Sequence, residues 1–242
     1  PVSVDTDLTE AVGGRALSHL QPDQNVLILP TLSITKSNEH DQFPGTLSLS
    51  GATLTSMLRE IGASVARAGV QRLVLLNGHG GNSAVLDTVA RDLRIELNLI
   101  VVVCSWFRFA QYSNVIDEAA LADDLHAGDI ETSAMLAVKP SLVDMAQADN
   151  FVPKHRAWQT DYNAIGLNGQ PARPAWIISD LNAQGACGNA AAATKEKGDQ
   201  LLQSAARNFA AFASSLSRSS VDPDKRSITA SELATIIGAS EF

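Results

Sequence analysis

Leu73-Val74-Leu75-Leu76, followed at once by Asn77-Gly78-His79-Gly80-Gly81-Asn82, is the passage on which the fold turns. Four apolar residues closed by a turn sequence read as a short strand buried on both faces. The three glycines let the backbone turn sharply and approach a ligand closely, and they present His79 at the strand's carboxyl end. From Ser83 to Glu96 the apolar positions Val85, Val89 and Leu93 form a helical stripe. The next apolar run, Leu99 to Cys104, is rich in Val and Ile and reads as a second strand. Strand, turn, helix and strand make a βαβ unit with a right-handed crossover. Ligands of such sheets bind at the carboxyl edge, so two readings of His79 stand: a ligand-facing residue, or an incidental histidine in a glycine-rich turn. A phosphate loop is disfavoured, because no Lys or Arg sits in the turn.

Working outward, Ala52 to Ala68 carries Leu54, Leu58, Ile61 and Val65 at helical spacing. Val26 to Leu29, closed by Pro30, reads as a further buried strand. Helices are expected near residues 116–122, 129–138 and 190–216. Asn163 to Pro174 reads as a surface loop, Ser214 to Arg226 as a polar exit from the last long helix, and Ala230 to Ile237 as a short amphipathic segment. The expected fold is α/β: three layers, a mostly parallel sheet with helices on both faces, in a single domain over 1–242 with a polar C-terminal extension from about 215.

Composition excludes several classes of function. The 242 residues are 45% hydrophobic and 18% charged, an ordinary globular balance. Acidic residues outnumber basic ones 26 to 18, for a net charge of -8, which argues against a nucleic-acid or anionic-membrane surface. The apolar runs fall short of the roughly 20 residues that a membrane span needs. Two cysteines, Cys104 and Cys187, are too few for a disulfide scaffold, and Cys104 reads as a small core residue. These features point to a soluble, cytoplasmic protein.

Three other segments concentrate chemistry. Asp123-Asp124-Leu125-His126-Ala127-Gly128-Asp129-Ile130-Glu131-Thr132-Ser133 brings an imidazole among carboxylates. A carboxylate that orients a histidine makes a general acid/base, whereas acids before an apolar helix also serve as a solvated N-terminus. Asp124 and Asp129 take the second reading; for His126 and Glu131 both remain open. Asn38-Glu39-His40-Asp41-Gln42-Phe43-Pro44-Gly45-Thr46-Leu47-Ser48 is a loop with a Pro-Gly turn, and His40 reads there as a loop hydrogen-bonder rather than a metal ligand. His19 and His155 have no acidic or histidine neighbours in sequence and read as structural or surface residues. Asp7, beside Asp5, reads as an N-terminal cap or first-turn acid.

Taken together, Asp5 in Pro1-Val2-Ser3-Val4-Asp5, the Phe43 to Ser48 turn, Asn77 to Asn82, and Asp123-x-x-His126-Ala127-Gly128-x-x-Glu131-Thr132-Ser133 resemble the creatininase family of metal-dependent amidohydrolases, in the family's order and at similar separations. The resemblance implies a two-metal centre of divalent ions (Zn, Mn or Fe) at the sheet's carboxyl edge. It implies Asp5 as the bridging ligand and His79 as a ligand of one ion, with Glu131 the nearest carboxylate to supply another. It implies His126, helped by Asp123, as the proton-transfer group, and Ser48, Trp106 and Gly80 on the substrate side. His79, Asp5 and His126 are accordingly expected to meet in one pocket. The implied activity is hydrolysis of a C–N bond in a small cyclic or linear amide or formamide. The alternatives are a peptidase acting on a small precursor peptide, or a non-catalytic ligand-binding relative. A homo-oligomer, a hexamer by resemblance, is implied as well.

Two departures stand out. Members that hydrolyse creatinine carry Tyr and a metal-binding Glu where this chain has Gly80 and Gly81. The family's Glu-x-His-Gly segment, expected just upstream of the position matching Pro1, is not in the sequence. The expectation is that a natural precursor carries it, and that the 242 residues alone bind at most one metal, weakly, with little hydrolysis.

Overall fold

The structure, a computed structural model, describes residues 1–167 and 170–218. In chain order its elements are α1 (Val4–Leu17), α2 (Gly51–Arg67), β1 (Arg72–Asn77), α3 (Ser83–Leu97), β2 (Ile100–Ser105), α4 (Trp106–Phe109), α5 (Glu118–Leu121), α6 (Asp129–Val138), β3 (Asn150–Phe151), α7 (His155–Asp161), α8 (Ile178–Leu181), β4 (Gly188–Asn189) and α9 (Lys195–Arg218), with short 3-10 turns between them. The chain divides into two compact units. One comprises Pro1–Leu8, Ser37–Ser48 and Gln111–Leu202; the other comprises Thr9–Lys36, Leu49–Ala110 and the described residues from Gln203 on.

The second of these units holds the βαβ core. β1 and β2 pair in parallel, with Arg72 opposite Ile100 and Asn77 opposite Ser105. Alternation along the strands divides their side chains between two helical layers. Leu73, Leu75, Val101 and Val103 pack with Leu54 and Leu58 of α2 and with Leu86, Val89 and Leu93 of α3. Val74 and Val102 pack with Phe212 and Leu216 of α9. Ser50 caps α2 by accepting the Thr53 N–H at 3.1 Å, so the helix starts one residue earlier than its apolar stripe predicts. α3 ends at Asn98, which takes the left-handed conformation at φ 55°.

Helices therefore do cover both faces of a parallel sheet, but that sheet is two strands wide, and the described chain is mostly helical. The expected strand Val26 to Leu29 is a correction. The segment lies in no element, no described strand pairs with it, and Leu27, Ile28 and Leu29 are 85%, 54% and 49% exposed. Apolar composition predicts burial, but a strand also needs a hydrogen-bonded neighbour, and this run has none among the described residues.

The other unit is built around α6. Ile130, Ala134 and Met135 are buried along it. Asp129 is buried too, and it accepts bonds from Lys197 at 2.6 Å and from Ser133 at 2.8 Å. The reading of Asp129 as a solvated acid is thereby corrected: it is a paired interior charge. α9 crosses α6 so closely that a Cβ on Gly198 would sit 1.9 Å from the Ser133 carbonyl oxygen. A second cluster joins Ile178, Leu181 and Cys187 to Phe43, Leu125, Trp158, Leu167 and Trp176. β3 and β4 form a short antiparallel pair, which makes the second sheet a departure from parallel pairing. The helix expected at 190–216 begins at Lys195 after a 3-10 turn and continues to Arg218, taking in the first residues of the expected polar exit. The rest of that exit and Ala230 to Ile237 lie outside the described residues. Among the described residues no helix is long and apolar enough to cross a membrane.

Candidate active site

The α6 unit contains the turn that carries His126. After α5 the chain runs beside Cys187: Leu125 N–H and His126 N–H both donate to the Cys187 carbonyl, at 3.0 and 3.1 Å, and Cys187 N–H donates to the His126 carbonyl at 2.7 Å. The backbone of His126 is thus clamped from one side. On the other side Ala127 turns through φ 52°, a left-handed conformation that costs a residue with a Cβ roughly 1–2 kcal/mol. The Ala127 N–H donates to Glu131 Oε2 at 2.6 Å, so the first turn of α6 braces the strained residue. Strain of this kind gathers at functional sites because the surroundings must hold it in place.

This turn sets the His126 imidazole between two groups. Its Nδ1 lies 3.9 Å from Glu131 Oε2, and its ring centroid lies 4.2 Å from that of His40 at a 33° tilt. His40 is buried, with Nε2 4.0 Å from Glu39 Oε1. The result is a row of acid, imidazole, imidazole and acid: Glu39, His40, His126, Glu131. The His40 carbonyl accepts from Phe43 N–H at 2.9 Å and Thr46 Oγ1 at 3.0 Å, as a loop hydrogen-bonder does, but the reading that set metal ligation aside is corrected: with Glu39 its side chain belongs to a group of metal-ligating donors. Its imidazole faces His126, which sequence reasoning missed. The one signal was an acid directly beside a histidine in a loop. Imidazole and carboxylate donors also suit a divalent cation such as Zn, Mn or Fe.

Asp123 has partners that the sequence did not reveal. Its carboxylate accepts from Arg156 Nε at 2.9 Å and lies 3.7 Å from His155 Nε2. His155 is buried and its Nδ1 has no hydrogen-bond partner among the described residues. Burial pushes the His155 pKa down, opposed by Asp123 and reinforced by Arg156. Sequence distance hid the pairing of Asp123 with His155 and Arg156. Asp124 is corrected as well: its carboxyl is no solvated acid but accepts from Ile130 N–H at 3.2 Å, and burial pushes its pKa up to about 7. Asp5 sits half-buried in the first turn of α1. Asp7 is the first-turn acid expected, buried and paired with Lys139 at 2.7 Å and Ser3 at 2.8 Å. Ser48 Oγ accepts from Ser37 N–H at 2.9 Å.

In the βαβ unit the strand register brings the ends of β1 and β2 side by side, so that His79 and Trp106 follow from one carboxyl edge. The two asparagines of the glycine turn are its scaffold. Asn77 accepts from His79 N–H at 3.1 Å and donates to the His79 carbonyl at 2.8 Å. Asn82 donates to Thr35 Oγ1 at 3.0 Å and accepts from Lys36 N–H at 3.2 Å. His79 is buried in this frame, while Gly80 is exposed with open space where a Cβ would stand. Trp106 is fully buried, stacked on Phe107 at 4.0 Å, and its Nε1 has no partner among the described residues. Burial pushes the Cys104 thiol up to about 12 and, with Asp123 adding, the Cys187 thiol up to about 11, which disfavours the nucleophilic thiolate.

Comparison with known proteins follows the same outline. The profile of the creatininase family, described as creatinine amidohydrolase, matches residues 1–213. The creatinine amidohydrolase of Pseudomonas putida is 35% identical over 218 residues, 84% of this chain and 78% of that protein. A mycofactocin precursor peptide peptidase of Mycobacterium ulcerans is 33% identical over 185 residues, 71% of this chain and 68% of that protein. Among solved structures, a manganese creatininase superposes with a TM-score of 0.66 at 30% identity, covering 86% of this chain and 81% of that one. A mutant creatininase of Zn–Zn type superposes at 0.64 with the same identity and coverage.

Proposed function

The chain belongs to the creatininase family, and from that premise we propose that it is a metal-dependent amidohydrolase cleaving a C–N bond of a small cyclic or linear amide or formamide. The observation that carries the reading is the row Glu39, His40, His126 and Glu131, a proton-transfer imidazole held between a second imidazole and a carboxylate. Asp5, His79 and Glu131 are the proposed metal ligands, and Glu39 and His40 add donors of the same chemistry. When bound, divalent cations supply polarisation of the amide carbonyl and activation of water near neutral pH.

The chain's own residues do the rest. His126, part-exposed on a rigid turn, passes a proton to the departing nitrogen, a step that such catalysis speeds by about 10²–10⁴-fold. Glu131, 3.9 Å from Nδ1, keeps the His126 ring oriented. Asp123 fixes the start of the same turn through Arg156. Ser48, Gly80 and Trp106 are proposed for the substrate side. The open space at Gly80, where creatinine-hydrolysing members carry Tyr, favours a substrate other than creatinine.

The peptidase relatives favour a second reading, cleavage of a small precursor peptide. One panel separates the two: creatinine, other small cyclic and linear amides, formamides and short peptides, each offered with Mn and Zn. Hydrolysis of the C–N bond of a small amide or formamide, by ring opening or by release of the amine, supports the first reading. Cleavage confined to peptides supports the second.

A further inference from the structure

The carboxylate of Asp124 takes no part in the proton transfer proposed above, yet the chain is built closely around it. A Cβ on Gly128 would meet Cγ, Oδ1 and Oδ2 of Asp124, each at 2.7 Å. The φ of Gly128 is -85°, which any residue adopts, so what this glycine supplies is room for the carboxylate. Gly188 closes the slot from β4: at φ 135° it takes a conformation favouring glycine, and its Cβ would lie 2.8 Å from Gly128 Cα and 3.1 Å from Asp124 Cα. From inside the slot Asp124 Oδ2 accepts the Ile130 N–H at 3.2 Å, one of the amides at the start of α6 that no helical carbonyl serves. Two other acids, Asp129 and Glu131, face it from the same helix and add repulsion. A merely solvated N-terminal acid needs no such enclosure.

We propose that Asp124 is a positioning residue for His126: wedged between Gly128 and Gly188, its carboxylate locks the turn 124–131 to the start of α6 and thereby sets where the His126 imidazole stands against His40. The proposal rests on the reading of His126 as the proton-transfer group. Without the lock, Ala127 has reason to leave its left-handed conformation, and the turn loses one of its ties to α6, the others being Ala127 N–H to Glu131 and Thr132 Oγ1 to the Ala127 carbonyl. Relaxing Ala127 moves the residue next to it, which is His126.

The test uses the full chain labelled in its histidines, read by NMR together with backbone amide exchange, so that positioning is measured whether or not turnover is found. In Asp124→Ala the ring signals of His126 and His40 should shift, and the Ala127 amide should exchange about tenfold faster or more. His19, exposed at the end of α1, serves as the reference. Asp124→Asn, which keeps the size and an acceptor for Ile130 N–H, should restore both signals. Gly128→Ala, whose methyl enters the slot, should reproduce the Asp124→Ala shifts, and the double variant should add little to either. Unmoved His126 signals in Asp124→Ala, or additive effects in the double variant, would overturn the proposal. If Asp124→Ala does not fold, Gly128→Ala decides: unchanged His126 signals there reject it. Loss of activity in His126→Ala is a separate result that bears on the catalytic reading alone.

Discussion

At the scale of single residues, the proposed division of labour between His126 and His79 has the sharpest consequence. His126 stands part-exposed on a braced turn, suited to move protons; His79 is buried in an asparagine scaffold, suited to a fixed ligand. His126→Ala should keep metal content near that of the natural chain while kcat falls by about 10²-fold or more. His79→Ala should lose metal and activity together, and metal analysis beside kinetics reads both. Asp124 gives a prediction in pH. Its pKa is raised from 3.8 to about 7, by burial first and by Glu131 second, with the Ile130 hydrogen bond opposing. The folded chain therefore holds a proton between these values where the unfolded chain has lost it. The stability this contributes is complete below 3.8 and is lost as pH rises through about 7. Asp124→Asn should remove this loss, so its urea midpoint should fall less than that of the natural chain between pH 4 and 7. Asp129 and Asp124 look alike in sequence, as acids before a helix, and only the fold distinguishes an ion pair with Lys197 from an enclosed carboxyl.

At the scale of elements, the readable parts were those whose signal is local. α3 and α6 begin where their sequence predicts, because an apolar stripe and a turn residue mark them within one segment. The strand assigned to Val26 to Leu29 failed because pairing is not local: Val, Ile and Leu specify a preference, while a neighbouring strand must supply the hydrogen bonds. The site was legible to the same extent. The turn that carries His126 could be read in place, whereas its partner His40 and the Asp123 partners His155 and Arg156 come from distant segments. The crossing of α9 over α6 gives a test at this scale. Gly198→Ala gains about 1 kcal/mol of helix propensity but forces a methyl against the Ser133 carbonyl, so a net destabilisation of about 1–3 kcal/mol is expected. Gly14→Ala in α1, where nothing lies within 4 Å of the added Cβ, should stabilise by about 0.5–1 kcal/mol instead. Urea unfolding of the two variants reads the contrast.

For the molecule as a whole, the family likeness reaches further than the sheet does. A profile matching residues 1–213 coexists with a two-stranded parallel sheet in one unit and a largely helical α6 unit. Assembly is expected to follow the family: light scattering should report several times the 25.6 kDa of one chain, and a mass near that value would reject a homo-oligomer. The most direct test of the central claim is the metal dependence of C–N cleavage. The protein should hydrolyse at least one small amide or formamide, lose that activity on chelation, and regain it when Mn or Zn is restored. Cleavage that persists at full rate in the metal-free protein would contradict the account, as would a metal-loaded protein that cleaves nothing in the panel.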